Sequence, residues 1–352
     1  MTIAVGKLRR SEWFANWIEL PLYDWTIELT WPWQLGHPDK MDVVLVTIQK
    51  PPDEEYPLKD DVLASALEWM LAAEPTVIGI DLRRDFHIPR EPGATAQRKK
   101  LMKLADDDNE GRLVWVSVEM GTGSADAFDP PPFLAGLPAE WDYNQIASPL
   151  FQNDGAIGGM IRRLPLIVGE RYSLPALLAL KHAGKRLGPE AVLALEDKLS
   201  SETLPGSAGG YWLTDEKGDP ADGYETLLKP IANASNAFPV YRLPIEDLIP
   251  GKTPPEPLLK ELRGKVVIFG TDAGFGVHDE VKIVGEPALR GVRAHALATA
   301  QLLREFSGDA PIGYFEDWVE DLVMVLAAAL ALGVLLLPRL PFGVRATAAV
   351  AA

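Results

Sequence analysis

The chain has 352 residues, 47% hydrophobic and 24% charged, enough for one large domain or two small ones. Its net charge of −16 repels a phosphate backbone, and no basic stripe offsets it, so the composition argues against nucleic-acid binding. The absence of cysteine excludes disulfides, thiolate nucleophiles and cysteine-ligated zinc, and leaves the compartment open.

Residues 11–29 read as a helix, with Trp13, Trp17 and Leu20 on one face and Phe14 and Ile18 beside them. Trp13, Trp17, Trp25, Trp31 and Trp33 make up half of the ten tryptophans. A membrane-proximal helix and ordinary core packing both account for this cluster. An alternation of strands and helices follows. "DVVLVTI" (42–48) is the continuous β-branched run of a strand covered on both faces. Residues 59–73 have helical spacing through Val62, Leu63, Ala66, Leu67 and Met70, with Asp60 and Asp61 in the first turn and Pro75 as terminator. "TVIGID" (76–81) predicts a second buried strand, residues 97–105 a helix, and "RLVWVSV" (112–118) a third strand. This rhythm implies parallel pairing through right-handed crossovers.

Glycine, proline and acids dominate residues 121–149, which read as irregular. "MIRRLPLIV" (160–168) predicts a strand, followed by a helix capped by Ser173 with Pro175 in its first turn. Residues 202–237 read as turns and hairpins, "KVVIFG" (265–270) as the last core strand, and 293–305 as a helix. "LVMVLAAALALGVLLL" (322–337) is uninterrupted by charge and, extended upstream by Trp318 and Val319, long enough for a transmembrane helix of about twenty residues. Glu316, Asp317, Glu320 and Asp321 precede it, whereas Arg339 and Arg345 follow it. Basic flanks stay cytoplasmic, so the tail points inward and the large domain outward. "MTIAVGKLRR" is too short and weakly apolar for a signal peptide or anchor, so a first crossing upstream or another export route is expected.

The glycine-rich turn after the last strand, "VVIFGTDAGFGVHDE" (266–280), fails both phosphate fingerprints. Gly274 and Gly276 supply the first pair of G-x-G-x-x-G, but position 279 is Asp and Val281 onward looks extended; no Lys–Ser/Thr pair follows for a phosphate loop. "DDDNEG" (106–111) imitates a calcium loop, but its twelfth position is Ser117 instead of a bidentate glutamate, so a solvated acidic helix end is expected. His37, His87, His182, His278 and His295 lack metal-ligand spacing, and "LPGSAGG" around Ser207 is not a nucleophile elbow. No metal or cofactor is expected. Ligands of open parallel sheets bind beyond the carboxyl ends of the strands. Asp81, Arg83, Thr271, Asp272 and His278 are therefore the candidate ligand-binding residues. Helix and loop capping by these short polar side chains is the alternative.

Several segments together resemble the second type of CHASE domain, the extracellular sensory module of bacterial cyclases and histidine kinases. The likeness runs from about Leu20 to Leu303. "LPLYDWTIEL" (20–29) resembles its first helix, and "PTVIGIDL" (75–82) its second strand, with Asp81 matching the aspartate there. "DGAIGGMIRRLPLIVGERYSLPALLAL" (154–180) is similar to its strand with paired basic residues and proline, here Arg162, Arg163 and Pro165, then a serine-led helix at Ser173. "LRGKVVIFGTDAGFGVHDE" (262–280) and "LRGVRAHALATAQLL" (289–303) resemble its last strand, turn and exit helix, with Gly291, His295 and Ala296 in place. Gln49 departs from the aspartate that often follows the first strand, and the family's usual first membrane helix and cytoplasmic output domain are not found in this chain.

The resemblance implies a sensory rather than catalytic module. The expected architecture is α/β: a mostly parallel sheet flanked by helices, with turn-rich insertions and a C-terminal transmembrane helix. Residues 1–33 would form a membrane-proximal helix, 34–312 the sensory domain, 313–338 the transmembrane helix, and 339–352 a short cytoplasmic loop or the start of a second one. The expected partners are the membrane, an unknown small-molecule or protein stimulus, and a second copy in a homodimer. Two other classes stay open: a membrane-anchored enzyme using Asp81, Asp272 and His278, and a structural or assembly subunit of the membrane.

Overall fold

The computed structural model describes residues 42–49, 58–84, 95–107, 111–118, 128–134, 145–149, 152–154, 160–168, 171–187, 225–228, 238–248, 251–271, 280–283 and 286–307. In chain order come β1 (Val43–Gln49), α1 (Asp60–Ala72), β2 (Val77–Ile80), α2 (Thr95–Asp107), β3 (Leu113–Val116) and β4 (Ile146–Ala147). Then follow β5 (Gln152–Asp154), β6 (Met160–Pro165), β7 (Ile167–Val168), β8 (Arg171–Tyr172), α3 (Leu174–Leu187) and β9 (Glu225–Leu227). The last are β10 (Val240–Pro244), α4 (Glu256–Leu262), β11 (Val266–Gly270), β12 (Glu280–Ile283), β13 (Glu286–Arg290) and α5 (Gly291–Phe306).

The main sheet has six strands in the order β10-β1-β11-β2-β3-β4, and every pairing in it is parallel. Its central strands are apolar throughout because both faces are covered. Val44, Val46, Ile78, Ile80, Leu113, Trp115, Val267 and Phe269 face one core with residues of α1, α2 and α4. Their neighbours in the alternation, Val43, Leu45, Val77, Val114, Val116, Val266 and Ile268, face a second core with α3 and α5. Each such side chain, fully buried, contributes roughly 1.5–3 kcal/mol. The predicted strands and helices between residues 42 and 118 match this arrangement within a few residues at their ends.

One row across the sheet explains how α3 approaches so closely. Leu45, Ile268, Gly79 and Val114 are successive partners on β1, β11, β2 and β3. At Gly79 a Cβ would meet Leu178 Cδ1 at 2.7 Å and Leu174 Cδ1 at 3.2 Å. The missing side chain admits these two leucines of α3, both fully buried.

Three readings change. The segment 121–149 contributes β4, which pairs with β3 as the sheet's edge, and Phe128, which forms a two-way backbone bridge with Val118 at 3.0 Å. The predicted strand 160–168 divides into β6, which joins a second sheet, and β7, which pairs antiparallel with β8 in a two-stranded one. The second sheet runs β13-β12-β6-β5. Within it β12 pairs in parallel with Met160 and Ile161, and β9 pairs antiparallel with residues 163–165 of the same strand. The apolar run established a strand; nothing in it specified which edge the strand would meet. Ser173 does precede α3, and its carbonyl accepts the Leu177 N–H at 3.0 Å, but among the described residues its buried Oγ makes no hydrogen bond. The cap is therefore a backbone one.

The proposed N-terminal helix (11–29), most of residues 202–237, the span 322–337 and the tail 339–352 lie outside the described residues. Among the described residues no helix is long and apolar enough to cross a membrane.

Candidate functional site

The carboxyl ends of β2 and β11 lie side by side, because these strands pair directly and the Asp81 N–H donates to the Phe269 carbonyl at 2.8 Å. Asp81 and Thr271, separate in sequence, thus emerge together at the sheet's end. The start of α5 closes over this place. A Cβ at Gly270 would stand 3.0 Å from Val292 Cγ2 and 3.3 Å from the Asp81 carbonyl oxygen, so glycine lets the helix rest on the strand ends. Val292 and His295 are three residues apart and share a helix face. His295 consequently reaches the same spot, its Nε2 3.9 Å from Asp81 Oδ1.

The environment is poor in water. The side chain of His295 is 3% exposed and that of Asp81 17%. Burial pushes the Asp81 carboxyl up from 3.8 to about 7, because the charged form loses its hydration. At 3.9 Å, and with an effective dielectric of about 20, a carboxylate and an imidazolium would attract by roughly 4 kcal/mol. One proton can therefore sit on the couple in two ways, as a neutral carboxyl beside a neutral imidazole or as an ion pair, and the carboxyl can give up or accept it near neutral pH.

The residues after Asp81 are tied down. Arg84 bonds through Nη2 to Asp60 Oδ1, and their side chains are 2% and 0% exposed. Asp60 opens α1, where the helix dipole favours a carboxylate. Arg83 is exposed, and its guanidinium carbon sits 5.3 Å from the centroid of the Phe128 ring, a cation–π arrangement. On the neighbouring strand Arg171 Nη1 donates to Ser117 Oγ at 2.8 Å. The opposite end of the sheet carries a second couple of the same type. Asp42, just before β1, accepts from Lys265 Nζ at 2.9 Å and lies 3.8 Å from Nε2 of His182, a buried residue of α3.

Of the five candidates, Asp81, Arg83 and Thr271 stand at the strand ends; Arg83 is turned onto Phe128, and Asp272 and His278 lie outside the described residues. The partners that define the chemistry of Asp81, His295 and the helix carrying it, were not among the candidates. The sequence signal for His295 was its place in the exit-helix motif, and nothing in that motif pointed to Asp81. The Asp60–Arg84 pair was likewise unforeseen; only the acidic first turn of α1 hinted at it. Among the described residues no cluster of three or more His, Cys, Asp or Glu is placed to hold a metal.

A family model described as the CHASE2 domain matches residues 1–335. No curated protein and no solved structure matches the chain.

Proposed function

The chain belongs to the CHASE2 domain family, an extracellular sensory domain family of signalling receptors, and from that premise we propose that it is the extracytoplasmic input module of a bacterial membrane receptor. A ligand or partner that prefers one arrangement of the domain shifts the population toward it, and the shift passes through α5 and the apolar segment 322–337 to a cytoplasmic output domain. The observation that supports this reading most directly is the seating of α5. This helix leaves the domain toward the apolar segment in sequence, and its first turn rests on the strand ends where ligands of parallel sheets bind. Any occupant of that crevice touches the element that would carry the signal.

The test uses the absence of native cysteine. Met102 on α2 is 45% exposed, so a Met102→Cys variant carries a single accessible thiol. In intact cells it should label with a membrane-impermeant maleimide and be protected in inverted vesicles. Labelling only in inverted vesicles would refute the reading.

A membrane-anchored enzyme is a second reading, favoured by the near-neutral carboxyl of Asp81 beside an imidazole. A turnover on a broad hydrolase panel that Asp81→Asn abolishes would select it.

A further inference from the structure

The Asp81–His295 couple joins two elements: β2, at the centre of the main sheet, and α5, the last described helix, which the apolar segment 322–337 follows in sequence. Both side chains are largely withdrawn from water, and their reactive atoms stand 3.9 Å apart. We propose that this couple is a proton-operated clamp: with one proton bound it holds the first turns of α5 on the carboxyl end of the sheet, and loss of that proton at alkaline pH releases them. The stimulus read by the domain then includes the external proton concentration. The clamp itself follows from the contact; its use as a signal rests on the receptor reading above.

The proton count gives the direction. One proton on the couple, whether on the carboxyl or on the imidazole, leaves it with no net charge. When that proton passes to solvent, a carboxylate remains beside a neutral imidazole in a place that hydrates it poorly. Water entry, and with it lifting of α5, becomes favourable. The Asp81 carboxyl on its own holds its proton to about pH 7, and sharing it with the imidazole can only move the midpoint upward, since a second site for the same proton raises the couple's affinity for it.

Several of the surrounding charged groups have partners of their own. Arg83 lies over Phe128 and Arg84 on Asp60. On α3 and the start of β11, His182 and Lys265 meet Asp42, and Lys181 is half-buried. On α5, Glu305 accepts from Gln301 Nε2 at 2.8 Å, Arg304 is exposed, and Arg290 and Arg293 are half-buried at its start; Lys282 of β12 is exposed. Burial is the cause of the Asp81 displacement.

Hydrogen–deuterium exchange of the full chain in lipid nanodiscs, from pH 6 to pH 9 and corrected for the intrinsic exchange rate, tests the clamp. Peptides from the first turns of α5 should lose protection by up to tenfold per pH unit as the pH rises to the midpoint, and level off above it, while peptides from α1 stay level. Asp81→Asn should abolish the alkaline loss. His295→Gln removes the second proton site and should move the midpoint to lower pH, which keeps the test decisive should Asp81→Asn fail to fold. A level profile for wild-type α5, an alkaline loss retained in Asp81→Asn, or an unmoved midpoint in His295→Gln overturns the proposal. A level profile in a chain whose Met102→Cys variant still labels from outside sinks the clamp alone. Failed labelling with the profile intact sinks the receptor reading and spares the clamp.

Discussion

Replacing Gly79 by alanine should destabilise the chain by about 1–3 kcal/mol, the usual cost of inserting a methyl into a filled core. The structure identifies what the methyl strikes: Leu178 Cδ1 at 2.7 Å, Leu178 Cδ2 at 3.1 Å and Leu174 Cδ1 at 3.2 Å. A leucine tip often yields cheaply, but Leu178 is 0% exposed and Leu174 likewise, so neither has room to turn aside. The gain from a less flexible unfolded chain, about 0.4–1 kcal/mol, offsets part of the clash and does not reverse it. Leu178→Ala alone should cost about 2–5 kcal/mol through the cavity it leaves. In that background the Gly79→Ala methyl enters vacant space, so the double variant should be no less stable than Leu178→Ala. Urea denaturation of the four proteins, followed by far-ultraviolet circular dichroism, closes the cycle. The coupling should reach about 1 kcal/mol or more in the direction of mutual relief. Additivity within about 0.5 kcal/mol would refute the close approach of α3 to β2.

Asp81→Asn should raise stability at pH 8 and leave it little changed at pH 4. The folded carboxyl binds its proton more tightly than the unfolded one, so wild-type stability falls as pH rises from 3.8 to about 7 and levels off above. The full displacement corresponds to at most about 4 kcal/mol, and partial exposure and the nearby imidazole bring the expected gain at pH 8 to about 1–3 kcal/mol, measured by urea midpoints at the two pH values. Arg84→Met should cost about 3–5 kcal/mol, because it takes the guanidinium from a carboxylate 0% exposed; adding Asp60→Asn should restore part of the loss, and a fully additive pair would count against the contact. Trp69→Phe should cost about 0.5–1.5 kcal/mol in the same assay, since the indole N–H donates to the Lys252 carbonyl at 2.8 Å.

The strands that could be read from the sequence are those buried on both faces: β1, β2, β3 and β11 are unbroken apolar runs bounded by turns or helices. The edges of the sheet gave no such signal. β4 has two residues inside a stretch rich in proline and glycine, and β10, "VYRLP", ends on a proline and has Leu243 as its one fully buried residue. α4 is only seven residues long, too short for its period to stand out. Asp81 was legible because the strand-end rule needs only local sequence. Its partner was not, since His295 reaches it through the packing of α5, a tertiary fact set by Gly270 and Val292. The second sheet was illegible for the same reason: β6 pairs with β12, and no local pattern in either strand names the other.

The junction between β13 and α5 has no slack. Arg290 is the last residue of the strand and, still extended at φ −69° and ψ 144°, the residue from which the helix starts. The strand is held to β12 through Glu280 opposite Arg290 and Val281 opposite Leu289. A push on the second sheet therefore meets no flexible joint before the helix: the hairpin must tear or α5 must travel with it. The domain has two handles on one shaft, the strand ends beneath the helix and the hairpin behind it, and force applied at either is delivered to the other.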